Sequence, residues 1–408
     1  MRIESATTYV VGNPDPRFGG RYFVFVKLRT DDGVEGIGEV YGAAFGPRSI
    51  EAMVEEVCAR HVIGADPFGI EVLWRNVYGR GYSARSDITL LSVLSALEMA
   101  CWDIVGKALE RPAYELLGGL VHDRLRTYTY LYPAEGDAVD VYGDPDLAAE
   151  RAAAYADRGF TAVKFDPADR YTTLDPRQPR PGELDRVKTY VRRIREAVGG
   201  RCDLLIGTHG QFTTAGAIRF ARCLEPYDPL WLEEPVPPDM PEQMAVVARS
   251  TCIPIATGER LAGKFEFGRV LASGAASILQ MDLGRVGGLL EAKKIAGMAE
   301  AHYAQIAPHL YCGPIAAAAN VQLAACSPNF LILEGIGAWD GFHADLLKVP
   351  IRWEDGYVIP PTAPGLGVEL DEEVARAHPY EGDALHLEPD YIGLVPAGLP
   401  AHAREARP

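Results

Sequence analysis

Trp231-Leu-Glu-Glu-Pro235, Ile255-Ala-Thr-Gly-Glu-Arg260, Ile278-Leu-Gln-Met-Asp282 and Ile306-Ala-Pro-His309 repeat one pattern: a short apolar run that ends on polar, chemically competent residues. The spacing is about 25 residues, roughly the length of one buried parallel strand, one helix and two loops. Upstream, the apolar residues 204–206 precede Gly-Thr-His209; downstream, residues 330–333 precede Glu334. This is the rhythm of a (β/α)8 barrel, whose catalytic residues sit at the C-terminal ends of the strands. His209, Glu233, Glu259, Asp282, His309 and Glu334 are therefore expected to converge on one mouth.

Working outward, the barrel begins near Leu125-Arg-Thr-Tyr-Thr-Tyr130. A helix over 148–158 leads to the next strand, Ala162-Val-Lys-Phe-Asp166. The polar, proline-rich insert 167–181 reads as a loop over the mouth. Before the barrel, Tyr22-Phe-Val-Phe-Val-Lys-Leu28 runs through the turn Thr30-Asp-Asp-Gly33 into a second strand over 34–40. Residues 49–120 are helical in pattern, with Ser95-Ala-Leu-Glu-Met-Ala-Cys-Trp-Asp103 at the centre and Gly118-Gly119 as the stop. The expected organisation is α/β: an α+β unit over 1–124, a barrel over 125–345, and a tail over 346–408. The tail shows no helical rhythm and is expected to fold back onto the N-terminal unit. Its last ten residues read as disordered.

A chain of 408 residues suits a barrel plus a second domain. The net charge of −16 argues against nucleic-acid or anionic-membrane partners, which need clustered Lys and Arg. No apolar stretch approaches the roughly 20 residues of a membrane span, and Met-Arg-Ile-Glu-Ser lacks a signal-peptide core. The seven cysteines are scattered in apolar runs without CxxC spacing, which suits reduced, buried thiols in a cytoplasm.

Two carboxylates from adjacent strand ends, Glu233 and Glu259, can hold a hard cation such as Mg²⁺; alternatively either pairs with Arg260 or Arg285 at the rim. Asp282 beside His309 makes an Asp–His dyad, a usual way to obtain a general base near neutral pH; alone, His309 would read as a loop cap. Across the mouth, His209 is an acid, a metal ligand or a polar loop residue. Lys164 is expected to bind a substrate carboxylate or to form a rim salt bridge. Glu334 either donates to a developing oxyanion or tunes His309.

With these residues placed, the chain resembles the enolase superfamily, in its mandelate racemase-like branch with the acid-sugar dehydratases. The resemblance spans nearly the whole chain. It rests on residues 96–106, Leu-Leu-Gly-Gly119, Glu-Glu-Pro235, Gly-Glu-Arg260, Gln-Met-Asp-Leu-Gly-Arg-Val-Gly-Gly288, Pro-His309 and Pro-Gly-Leu-Gly367. It implies a capping domain, completed by the C-terminal tail, over a modified TIM barrel of (β/α)7β type. It also implies one Mg²⁺ that holds the substrate carboxylate and stabilises an enediolate. By position it makes Glu233 and Glu259 metal ligands, Asp282 and His309 the proton-abstracting dyad, Glu334 the late strand-end acid, and His209 the acid that protonates a departing 3-hydroxyl. Lys164, Asp166 and Arg260 are the expected substrate-binding residues.

Two departures from the family pattern matter. The racemases carry Lys-x-Lys, whose second lysine is a base; here the motif is Lys164-Phe-Asp166. The family's first metal ligand lies two residues before the His of Asp-x-His-Gly, where this chain has Gly207. His209, Asp166 or water are the candidates to compensate. The expected activity is dehydration of a sugar acid, an aldonate or aldarate, to a 2-keto-3-deoxy acid by a cytoplasmic homo-oligomer. The alternatives are an epimerase, racemase or cycloisomerase of the same superfamily, or a metal-poor, non-catalytic sugar-acid binding protein. The cap segments 12–21 and 78–82, with Arg17, Arg21 and Arg80, are expected to shape specificity.

Overall fold

The computed structural model describes residues 1–42, 45–82, 84–134, 137, 140–168 and 176–387. Residues 169–175 of the insert 167–181, and the final residues read as disordered, lie outside them.

The N-terminal unit is an antiparallel sheet of β1 (Ile3–Gly12), β2 (Tyr22–Thr30) and β3 (Glu35–Val40). The helical stretch divides into α1 (Pro47–Val57), α2 (Ile70–Tyr78), α3 (Ile88–Ala108) and the short α4 (Ala113–Leu116). Asp87 caps α3 by accepting from the backbone N–H of Thr89 and Leu90. The sheet lies directly on α3. A Cβ at Gly36 or Gly38 would fall 2.1 Å and 1.9 Å from the carbonyl oxygens of Ala100 and Ala96, so only glycine admits this approach. At 21 residues, α3 is long and apolar enough to cross a membrane, which corrects the expectation that no such stretch exists. Its apolarity has another cause: 78% of its apolar window is buried between sheet and barrel, and a helix covered all round needs no polar face.

Eight parallel strands follow: β4 (Leu125–Tyr130), β5 (Ala162–Phe165), β6 (Asp203–Gly207), β7 (Trp231–Glu233), β8 (Ile255–Thr257), β9 (Ile278–Leu279), β10 (Gln305–Ile306) and β11 (Leu333–Gly335). They pair in sequence order, and β11 returns to pair with β4. The Ile306–Phe330 bridge joins β10 to the start of the last strand and closes the barrel. The intervening helices are α5 (Pro145–Asp157), α6 (Pro181–Val198), α7 (Thr214–Leu224), α8 (Pro241–Ala248), α9 (Gly263–Ser273), α10 (Leu289–Ala301) and α11 (Pro314–Ala325). After β11 only the four-residue α12 (Phe342–Asp345) forms, so the architecture is (β/α)7β.

Tyr128, Ala162, Leu205, Trp231, Ala256, Ile278, Ala307 and Ile332, one residue from each strand segment, pack into a single buried cluster. Side chains on a strand alternate sides, so the next inward layer lies two residues further on. That layer is Tyr130, Lys164, Gly207, Glu233, Gly258, Gln280, His309 and Glu334. The apolar plug of the barrel thus gives way in one step to a ring of polar groups and two glycines.

The tail serves both units. Its hairpin, β12 (Trp353–Glu354) and β13 (Tyr357–Val358), pairs with the start of β4 at the barrel floor. Where no helical rhythm is expected, α13 (Glu372–Ala377) forms under an Asp371 cap and docks on the sheet, Glu372 accepting from Tyr9 and Lys27. Three buried carboxylates bind the units together through backbone N–H groups. Glu98 accepts from Leu289 and Leu290 at the start of α10, Glu39 from Gly313 and Ala316 at the start of α11, and Asp103 from Ile37 and Leu366. All seven cysteines are free; Cys252 is exposed, unlike the buried thiol expected.

His343 of α12 is buried against the Cys312 carbonyl, and burial lowers its pKa to about 4 from 6.5. Above pH 6.5 its ring is neutral folded and unfolded. Between 6.5 and 4 the unfolded chain takes a proton that the folded chain refuses, so stability falls as pH falls. Urea titrations should show the wild type losing about 3 kcal/mol more than His343→Gln between pH 7 and pH 4. Parallel pH dependences would refute this assignment.

Candidate active site

At the C-terminal ends of the strands, the polar ring holds itself together by charge. Lys164 is fully buried; its Nζ lies 2.7 Å from Glu233 Oε1 and 3.4 Å from Glu334 Oε1, with the Tyr130 ring 4.8 Å away. Burial opposes the ammonium, but the two glutamates outweigh it and raise its pKa well above the usual value. Glu233 also accepts from Gln280 at 2.7 Å and from Trp231 at 3.1 Å. Burial, against the pull of Lys164 and with the help of Glu259 and Glu334, moves its pKa up to about 7.

The dyad forms. His309 Nδ1 lies 2.6 Å from Asp282 Oδ2, and its Nε2 lies 3.4 Å from Glu259 Oε2 and 4.0 Å from Glu334 Oε2. Asp282 fixes the ring so that Nε2 faces the carboxylates. Burial disfavours the imidazolium, but Glu334, Glu259 and Asp282 more than compensate, raising His309 to about 9. Glu259 moves the other way: burial raises it, but His309, His209 and Lys164 bring it below the usual carboxylate range. Glu334 accepts from the Leu310 backbone N–H at 2.8 Å.

His209 sits at φ +48°, and its Nδ1 is 3.1 Å from Asp166 Oδ2 in an ion-pair contact. Burial opposes its charge, but Asp166 beside it lifts its pKa to about 9. Arg260 is held by Glu234, 2.6 Å away, rather than by Glu233 or Glu259; Arg285 donates to the Glu259 carbonyl. The structure thus places Lys164, Asp166, His209, Glu233, Glu259, Asp282, His309 and Glu334 around one centre, with Arg260 beside it.

Four neighbours were not among the expected site residues. Tyr130 and Gln280 belong to the inward layer, and period-two counting along β4 and β9 finds them. Tyr41 comes from the N-terminal unit; its ring stacks on His309 with centroids 5.9 Å apart, and the Arg285 guanidinium carbon lies 3.7 Å from the Tyr41 ring centroid. No strand rhythm in the barrel points to it. In the cap, Phe18 stacks on Tyr132 at 4.1 Å, which puts the 12–21 segment against the barrel mouth. Arg17, Arg21 and Arg80 bond instead to Asp15, the Leu385 carbonyl and Glu56.

The donor set suits a divalent cation: hard carboxylate oxygens at Glu233 and Glu259, and a buried Asp166 Oδ1 that accepts no hydrogen bond among the described residues. Among the described residues no three such groups are already closed around one point. Lys164 pairs with Glu233 and Glu334, and His309 with Glu259, so each buried carboxylate faces a basic group.

Residues 18–118 match the mandelate racemase/muconate lactonizing enzyme N-terminal domain, and residues 146–374 the enolase C-terminal domain-like family. The D-galactonate dehydratase of Ralstonia nicotianae is 39% identical over 382 residues, 91% of this chain and 93% of that protein. That of Xanthomonas campestris pv. campestris (strain B100) is 38% identical over 385 residues, 92% and 94% of the two chains. Among solved structures, a mandelate racemase/muconate lactonizing enzyme-type protein from Labrenzia alexandrii DFL-11 superposes with a TM-score of 0.93 at 63% identity, covering 95% of this chain and 98% of its own. A protein from Mesorhizobium loti assigned as a dehydratase superposes at 0.84 with 32% identity, covering 93% and 99%.

Proposed function

Because the chain belongs to the mandelate racemase/muconate lactonizing enzyme family of the enolase superfamily, we propose that it dehydrates a sugar acid to a 2-keto-3-deoxy acid. It is a carbon–oxygen hydro-lyase, and family membership implies a divalent metal cofactor; we take the ion to be Mg²⁺. We extend the same reading to a homo-oligomer in a cytoplasm, which suits seven free thiols. We also keep the division of the chain at 124/125 and 345/346.

The observation that carries this reading is one histidine supported by Asp282 and a second, His209, paired with Asp166 at the same mouth, with Asp166 where a racemase has its second lysine. His309 Nε2 takes the C2 proton while Asp282 holds the opposite nitrogen. His209 delivers its proton to the 3-hydroxyl, which leaves as water. The enol so formed tautomerises to the ketone. Lys164 supplies positive charge at the substrate carboxylate, and Tyr41 covers the dyad from the cap. When bound to Glu233 and Glu259, a divalent cation supplies charge for the carboxylate and offsets the charge on Glu259 that keeps His309 protonated.

Purified protein with Mg²⁺, screened against mono- and diacid sugars for 2-keto products, is expected to dehydrate at least one of them. A negative screen with active family controls would defeat the assignment.

Separate roles for the histidines give a sharper outcome. His209→Asn should lose about 10²–10⁴-fold in dehydration, yet recovered substrate should still exchange its C2 proton with deuterated solvent. Equal loss of exchange and dehydration would show that the two histidines do not divide the reaction this way.

A further inference from the structure

The family's first metal ligand has no side chain in this protein, because residue 207 is glycine. Nothing in the backbone asks for glycine there. Residue 207 ends β6 paired with Glu233 and is not among the residues with positive φ. What asks for glycine is its neighbour. A Cβ at position 207 would lie 2.0 Å from Asp166 Oδ1, with the next atom of that carboxylate at 3.1 Å and the Tyr130 hydroxyl at 3.6 Å. The carboxylate of Asp166, reaching across from the end of β5, fills the space in which a side chain at 207 would begin.

The two oxygens of Asp166 have different surroundings. Oδ2 faces His209 Nδ1 at 3.1 Å. Oδ1 is buried and, among the described residues, accepts no hydrogen bond. A buried carboxylate oxygen without a donor is costly unless a cation completes it. The registry fixes what it would share: β5, β6 and β7 are consecutive, Lys164 pairs with Leu205, and Gly207 with Glu233. Asp166 Oδ1 therefore stands in the strand position next to Glu233, where the family carries its ligand.

The geometry points to Asp166 as the third carboxylate of the divalent-metal site, moved one strand over to replace the ligand missing at 207. Gly207 is then not a lost ligand but the space that Asp166 requires. The inference rests on the functional reading above only in taking the cation to be divalent. Of the two roles that the sequence leaves open for Asp166, substrate binding and compensation for the missing ligand, it selects the second.

Mn²⁺ serves as the probe. Free Mn²⁺ is counted by electron paramagnetic resonance in titrations of metal-stripped, full-length protein. The wild type is expected to bind one ion per chain. Asp166→Asn, which keeps the shape and removes the charge, should weaken binding at least about tenfold, the loss that even an outer-sphere partner of a metal produces. Gly207→Asp alone should unfold at lower temperature, because its side chain meets Asp166. In the double variant Asp166→Ala/Gly207→Asp the clash is gone and the ligand is back in its family position, so Mn²⁺ affinity should recover to near the wild-type value.

Unchanged Mn²⁺ affinity in a folded Asp166→Asn, or no binding by the wild type, overturns the inference. If Asp166→Asn unfolds, the double variant decides: failure to recover Mn²⁺ affinity in a folded double variant overturns it as well. The sugar-acid screen is read separately. Binding that depends on Asp166 without turnover leaves this inference standing and defeats the dehydratase reading; turnover with Mn²⁺ binding indifferent to Asp166 does the reverse.

Discussion

His309→Asn should lower dehydration by about 10⁴-fold, the upper end for loss of a positioned general base. Asparagine retains a polar group near Asp282 and fits the space, so the fold should persist by circular dichroism. The loss is large because, among the described residues, the lysines that could act as a second base are not offered: Lys164 is locked between Glu233 and Glu334, and Asp166 stands where a second lysine would be. Exchange of the C2 proton with deuterated solvent should disappear together with dehydration, in contrast to His209→Asn. A variant that kept a tenth of the wild-type rate would remove His309 from the mechanism.

Lys164→Met should cost stability on a comparable scale. The substitution keeps an unbranched side chain one atom shorter and deletes its charge. Glu233 and Glu334 are then left facing each other, 2% and 1% exposed, with no cation between them. Breaking a buried ion pair by removing one partner typically costs about 3–5 kcal/mol. Glu233 already sits at about 7, chiefly through burial, and loss of Lys164 pushes it higher. Protonation relieves the repulsion, so the destabilisation should be larger at pH 8 than at pH 6. Denaturant unfolding of wild type and variant at both pH values checks this. Equal stability at pH 8 would mean that Lys164 is not what neutralises the glutamates.

The barrel was legible because a parallel strand covered on both faces must be continuously apolar, and the chain marks the end of each run with a polar residue. The same logic delivered His209, Glu233, Glu259, Asp282, His309 and Glu334. Gln280 and Tyr130 were equally accessible: they lie two residues beyond Ile278 and Tyr128, on the same face of their strands, but an uncharged amide and a phenol do not stand out against an apolar run. Tyr41 was not accessible, because its place over His309 depends on how the N-terminal sheet docks, a long-range contact without local periodicity. Arg260 ends on Glu234 because the left-handed turn at Glu234, φ +41°, swings that side chain toward it. The apolarity of α3 misled in a different way: counting along the sequence stops at Glu98 and Asp103, although both are buried and bonded to backbone N–H groups.

The bonds made by α3 also set a timetable for synthesis. Ser95 and Glu98 meet Gly287, Leu289 and Leu290, and Asp103 meets Leu366. At an elongation rate of roughly 5–20 residues per second, the first of these partners leaves the ribosome about 10–40 seconds after the helix does. Throughout that interval the nascent chain presents a three-stranded sheet and a long apolar helix with one flank bare. Chains truncated before residue 287 carry that flank permanently. They should accumulate as aggregates or as clients of chaperones, and the protein should become soluble only when the α10 segment can close over the helix.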